Sequence, residues 1–134
     1  MRTKTVTKLV RNLTQKEYSQ CKSLNFRYDG CMMYDLPWSK KAFPNDARVV
    51  MIKDAQTDLL IAWCLAYPNN SGDNFITQYY TRVKFRNMGY GSRLIFHVRK
   101  FAPSPVVMPH DPNSRAFFRK HEDKITVRAS HSLY

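Results

Sequence analysis

Acidic residues are scarce in this chain of 134 residues. Ten aspartates and glutamates face 22 lysines and arginines, a formal net charge of +12 at pH 7. That balance disfavours a polycationic partner and suits an anionic one: nucleic acid, a phosphate-rich cofactor or an acidic protein. The basic residues are spread along the chain and form no tail, so a solvated basic surface accounts for them equally well. Cysteine is also sparse. Cys21, Cys31 and Cys64 are odd in number and include no C-x-x-C pair, and His97, His110, His121 and His131 are scattered. Neither a disulfide framework nor a metal site is expected from such spacing. No apolar run approaches the ~20 residues of a membrane helix. The opening "MRTKTVTKLVRNL" alternates and lacks the apolar segment of a signal peptide. A cytosolic protein without a membrane partner is expected.

What is present describes a folded domain. Hydrophobic residues make up 43% of the chain, against the composition of disordered segments. The length suits one domain, residues 1–134, able to bury a core without covalent staples. No internal repeat or low-complexity segment interrupts it.

The pattern along the chain gives the order β-α-(loop)-β-β-β-α-β-α-β. "TVTKLV" alternates as a strand. Thr14 with Glu17 three residues later forms a capping box, Leu13 can staple to Tyr18, and a helix runs to about Leu24. Residues 25–46 read as a loop with a short helical piece. "ARVVMIKD", "LLIAWCLAY" and "NFITQYYTRVKF" then form an antiparallel meander joined by polar turns. Leu94, Ile95, Val98 and Phe101 repeat with helical period until Pro103. "SPVVMP" is a short strand. Asp111 caps a last helix with Pro112 at its first position, and "KITVRA" is a final strand. The strands on either side of the helix at 90–101 form a βαβ unit and should run parallel. The fold class is thus mixed α/β (α+β), one sheet flanked by helices.

Only four glycines occur, and two of them, Gly89 and Gly91, stand between a strand and a helix in "FRNMGYGSRLIF". The first N–H groups of a helix have no internal partner and lie at the positive end of its dipole. Missing Cβ atoms let a phosphate approach that backbone, and Arg86 adds charge. A tight turn that needs glycine for backbone reasons explains the same residues. Neither a P-loop nor the dinucleotide-binding G-x-G-x-x-G is present.

"RNMGYGS" resembles the R/Q-x-x-G-x-G/A motif of the GNAT superfamily of N-acetyltransferases. Thr81, Val83 and Phe85 fall where that family's fourth strand leads into the motif, and the element order is similar over nearly the whole chain. The resemblance implies a splayed sheet, whose fourth and fifth strands part around the pantetheine arm of acetyl-CoA. Its amides would pair with the edge formed by Tyr80, Thr81, Arg82 and Val83. The pyrophosphate would rest on Arg86, Asn87, Met88, Gly89, Tyr90, Gly91 and Ser92, with Asp111 and Phe118 also at the cofactor. An amine would attack the thioester near Tyr79 and Tyr80, with a base taking its proton and an acid meeting the thiolate.

The helix after Asp111 departs from the family pattern. In N-x-x-A-x-x-F-Y the tyrosine is the usual acid. Laying Asp111 on the Asn puts Phe118 there, and the register from Asn113 puts Lys120 there. His110 or Tyr80 then becomes the candidate catalytic group. Tyr79, Tyr34 and Asp35 are candidates for the acceptor pocket. One strand fits after the last helix where relatives usually have two, and a second subunit can cover such an edge as a homodimer.

Three functions follow. The first is an acetyl-CoA-dependent N-acetyltransferase acting on an amine of a protein (an acidic one suits the charge), an aminoacyl-tRNA or a small molecule. The second is a GNAT-fold binding protein with little catalysis, of phage or mobile-element type, acting on a host partner. The third is a nucleic-acid binder using the aromatic and basic residues of 79–101.

Overall fold

The computed structural model describes residues 1–23, 46–69, 74–109 and 112–128. The expected loop at 25–46 therefore lies outside the described residues except for Asp46, and with it Tyr34, Asp35 and Cys31; so do Leu24, His110 and Asp111. The described elements are β1 (Thr3–Leu9), α1 (Gln15–Ser23), β2 (Arg48–Asp54), β3 (Leu60–Pro68), β4 (Phe75–Thr81), α2 (Tyr90–Val98), β5 (Val106–Val107), α3 (Pro112–Arg119) and β6 (Thr126–Val127). They form one six-stranded sheet in sequential order, β1 to β6. The first four strands are antiparallel neighbours. Each of β4–α2–β5 and β5–α3–β6 is a crossover, and both strand pairs are parallel, as a helical connection requires.

The sheet buries both faces. On one, Val10, Leu13, Met51, Trp63, Leu65 and Tyr80 pack with Cys21 of α1. On the other, Val50, Ile52, Ile61, Cys64 and Tyr79 meet Leu94, Ile95 and Val98 of α2, and Phe118 of α3. β2 and β3 therefore read as unbroken apolar runs, because both sides of each are covered.

The start of α1 bears out the capping box. Glu17 N–H donates to Thr14 Oγ1 at 3.1 Å, and Thr14 N–H donates to Glu17 Oε1 at 2.9 Å. Glu17 does more than cap. Its buried carboxylate also accepts from Lys8 Nζ at 2.8 Å and from the buried Lys53 Nζ at 3.0 Å. Burial alone would raise its pKa, but the hydrogen bonds from Lys8, Thr14 and Lys53 outweigh it and hold the carboxyl at about 2.

Three expectations are corrected. "NFITQYYTRVKF" is not a strand to Phe85: β4 ends at Thr81, and Val83–Phe85 form a 3-10 turn closed by Phe85 N–H to Arg82 O at 2.8 Å. The strand "SPVVMP" shrinks to Val106–Val107, and "KITVRA" to Thr126–Val127. Proline on both sides of Val106–Val107 removes N–H groups that a longer ladder would use. Among the described residues a single strand, β6, follows the last helix.

Candidate active site

The sheet opens between β4 and β5. Their pairing is limited to Ile76 with Val106, reinforced by Thr77 Oγ1 donating to Val106 O at 2.8 Å. Beyond Thr77 the two strands part. Which backbone groups of β4 face the opening follows from its other edge. Arg82 N–H donates to Ile61 O at 2.9 Å, and the β3–β4 register is unbroken. Bonded and outward positions alternate along an antiparallel strand. Gln78, Tyr80 and Arg82 therefore spend their backbone on β3, and Tyr79 and Thr81 turn theirs toward the cleft.

This placement revises the expected edge. Thr81 does turn its backbone to that edge. Arg82 does not, because its amide and its Nε, the latter donating to Leu60 O at 3.0 Å, both serve β3. Val83 lies in the 3-10 turn beyond the strand. Tyr80 presents neither backbone nor side chain to the cleft: its ring is buried on the α1 side and stacks on Trp63 at 6.1 Å. Tyr79 faces the opposite side of the sheet, buried against Phe118 at 5.1 Å between ring centroids. Its hydroxyl lies sealed beside Cys64 and Thr77 without a directed hydrogen bond, and burial pushes its pKa well above the usual phenol value. Neither ring is open to an acceptor.

At the end of β4 the chain turns into α2. Arg86 is anchored, with Nε donating to Thr81 O at 2.9 Å and its guanidinium 5.5 Å over the Tyr80 ring. Asn87 and Gly89 both have positive φ, 64° and 84°. Asparagine tolerates that region, and glycine enters it without strain. Gly89 is the N-cap and offers no side chain, so no side-chain cap hydrogen bond closes the start of α2 among the described residues. The first intrahelical bond is Arg93 N–H to Gly89 O at 3.1 Å. The N–H groups of Tyr90, Gly91 and Ser92 precede it, at the positive end of the helix. Arg86, Asn87, Met88, Gly89 and Ser92 are exposed around them. A Cβ on Gly89 would meet nothing within 4 Å, so its place is open to a ligand.

Gly91 has a different reason. A Cβ there would stand 2.7 Å from Cζ of Phe117. The missing Cβ lets α3 close on α2, so the second glycine lacks a side chain for packing, while its N–H stays at the helix start. Next to it, Ser92 Oγ lies 3.0 Å from His121 Nε2, and His121 Nδ1 lies 2.9 Å from Phe117 O. No spacing rule reveals this contact, because the partners are 29 residues apart and meet only through the docking of α3. Phe118 is buried under the cleft, where its ring supplies packing and no proton.

The arrangement combines a free strand edge, an uncapped helix start and a basic surround. That combination suits a ligand with amides at one end and phosphates at the other. Among the described residues no group of three or more metal-ligating side chains gathers, and no helix is long and apolar enough to cross a membrane.

Residues 8–122 match the acetyltransferase (GNAT) family. No curated protein matches the chain in sequence. Solved structures share the fold at low identity. An acyl-CoA N-acyltransferase from Pseudomonas aeruginosa is 14% identical with a TM-score of 0.66, over 90% of this chain and 87% of its own. Escherichia coli ElaA is 12% identical with a TM-score of 0.68, over 90% and 86%. An aminoglycoside acetyltransferase, meta-AAC0020, from an uncultured soil metagenomic sample is 14% identical with a TM-score of 0.62, over 88% and 86%. With the family match spanning most of the sequence and the same splayed sheet beneath it, this chain belongs to the GNAT family of acetyltransferases.

Proposed function

We propose that the chain is an acetyl-CoA-dependent N-acetyltransferase, with residues 1–134 forming one catalytic domain. The observation that carries this reading is the uncapped start of α2 beside the free edge of β4. Acetyl-CoA brings an acyl thioester that an amine can attack. The chain's part is to hold it. Tyr79 and Thr81 offer backbone groups to the pantetheine amides, although Thr81 O is shared with Arg86 Nε. Tyr90, Gly91 and Ser92 offer N–H groups to the pyrophosphate, and Arg86 and Arg93 supply charge.

The proton transfers belong elsewhere than expected from the tyrosines. Tyr80 is sealed in the core and Phe118 has no hydroxyl. His110, three residues beyond Val107 of β5 in the sequence, is the proposed acid or base, and general acid–base help is worth ~10²–10⁴-fold. Tyr34 and Asp35 are the proposed acceptor contacts, from their place between α1 and β2. Asp111 is the proposed neighbour of the pantetheine arm. A cytosolic location and no metal accord with this chemistry.

The acceptor proposed is an amine on an anionic macromolecule, an acidic protein or an aminoacyl-tRNA. Between Asn74 and His121 the chain carries nine lysines and arginines against one acid, Asp111. This stretch contains the phosphate turn, so the acceptor would approach a positive surface. A homodimer formed along the short β6 edge is the proposed assembly. A screen of acetyl-CoA with acidic peptides, aminoacyl-tRNA and small amines, read by free CoA thiol and product mass, tests the function. Acetylated product from one class supports it. Saturable acetyl-CoA binding with no transfer to any class favours a GNAT-fold binding protein instead.

A further inference from the structure

We propose that His121 is a positioning residue of the acetyl-CoA site, holding the first turn of α2 through Ser92. This rests on the reading of that turn as the phosphate seat. The geometry defines the hydrogen bonds. Phe117 O can only accept, so Nδ1 of His121 carries the proton that it receives at 2.9 Å. In the neutral ring Nε2 is then an acceptor, and Ser92 Oγ–H donates to it at 3.0 Å. His121 thus has a fixed ring orientation, one nitrogen tied to α3 and the other to the third residue of α2. One helical turn earlier on α3, the Phe117 ring fills the space beside Gly91.

Two adjacent residues of the α2 start are therefore gripped by Phe117 of α3 and by His121 in the turn that follows α3. Such a grip serves function because α2 has no cap of its own. A Ser, Thr, Asp or Asn at the N-cap would ordinarily fix the first turn by bonding its N–H groups. That device would also consume the donors a phosphate needs. Contact from outside, through the side chain of Ser92 and the bare backbone of Gly91, fixes the turn and leaves the donors free. Preorganised donors bind without the ordering cost that mobile ones incur.

The test is titration calorimetry of acetyl-CoA, with ADP as the probe that carries pyrophosphate without the pantetheine arm. Variants are His121→Ala, His121→Gln, Ser92→Ala and His121→Ala/Ser92→Ala, each with its melting temperature. The amide oxygen of glutamine can stand near the place of Nε2. The expected result is a loss of about tenfold in affinity for both ligands in each Ala variant, roughly one hydrogen bond's worth. The double variant loses no more than either single, the signature of one coupled pair. His121→Gln recovers most of the affinity. Unchanged acetyl-CoA affinity in a folded His121→Ala protein overturns the inference alone. So does a loss for acetyl-CoA but not ADP, or additive losses in the double variant. Absence of binding by the unaltered protein removes the phosphate seat itself, and the role of His121 with it.

Discussion

At the scale of single residues, two glycines two positions apart have unrelated causes. Gly89 is required by its φ of 84° in open space, and Gly91 by the Phe117 ring, whose Cζ lies 2.7 Å from where a Cβ would stand. Gly89→Ala should cost about 1 kcal/mol from backbone strain, whatever stands nearby. Gly91→Ala should cost about 1–2 kcal/mol from crowding. In a Phe117→Leu background the Gly91→Ala cost should shrink and the Gly89→Ala cost should not, as thermal melts of the six proteins (the parent, the three single variants and the two double variants) will show. Glu17 is the other residue with a large expected effect. Glu17→Gln leaves Lys53 buried, with Asp58 3.8 Å away as its remaining partner, at a cost of about 3 kcal/mol. The folded carboxyl sits near 2 against an ordinary 4.5. Its depressed pKa means that its contribution is whole above 4.5 and is lost as pH falls toward 2. Melting temperature should therefore fall more steeply between pH 5 and pH 2 in the parent protein than in Glu17→Gln.

At the scale of elements, β4 is the strand on which the account turns, because its two edges are used differently. Thr81→Pro removes an N–H from the cleft edge and none from the β3 ladder. We expect a folded protein with about tenfold weaker acetyl-CoA binding, measured by calorimetry beside its melting temperature. The sequence made some of this architecture legible and hid the rest for identifiable reasons. The capping box of Thr14 and Glu17 and the Pro112 helix start are local patterns, and they appear where the spacing puts them. The parallel pairing of β4 with β5 follows from the intervening helix. The end of β4 was not legible, because "TRVKF" alternates as a strand does while Arg86 closes a turn onto Thr81 O. The inward face of Tyr80 depends on register with Trp63, which no single strand reveals. The pairing of Ser92 with His121, and of Lys53 with Glu17, arises from docking between distant segments.

At the scale of the whole molecule, a net charge of +12 produces self-repulsion that salt screens. Melting temperature should rise as salt is raised from about 0.01 M to 0.15 M. Affinity for acetyl-CoA should fall over the same range, since phosphate contacts made by basic groups weaken with screening. The same charge bias, the splayed sheet and the uncapped α2 converge on one region of the surface, the proposed seat of acetyl-CoA. Titration calorimetry of acetyl-CoA into the unaltered protein and into Gly89→Trp tests it most directly. The Trp side chain would stand in the open space above the α2 start, with no neighbour within 4 Å of its Cβ to disturb. Saturable binding by the unaltered protein, abolished in a folded Gly89→Trp variant, is the predicted result. No heat of binding at millimolar acetyl-CoA, or equal binding by both proteins, would contradict the account.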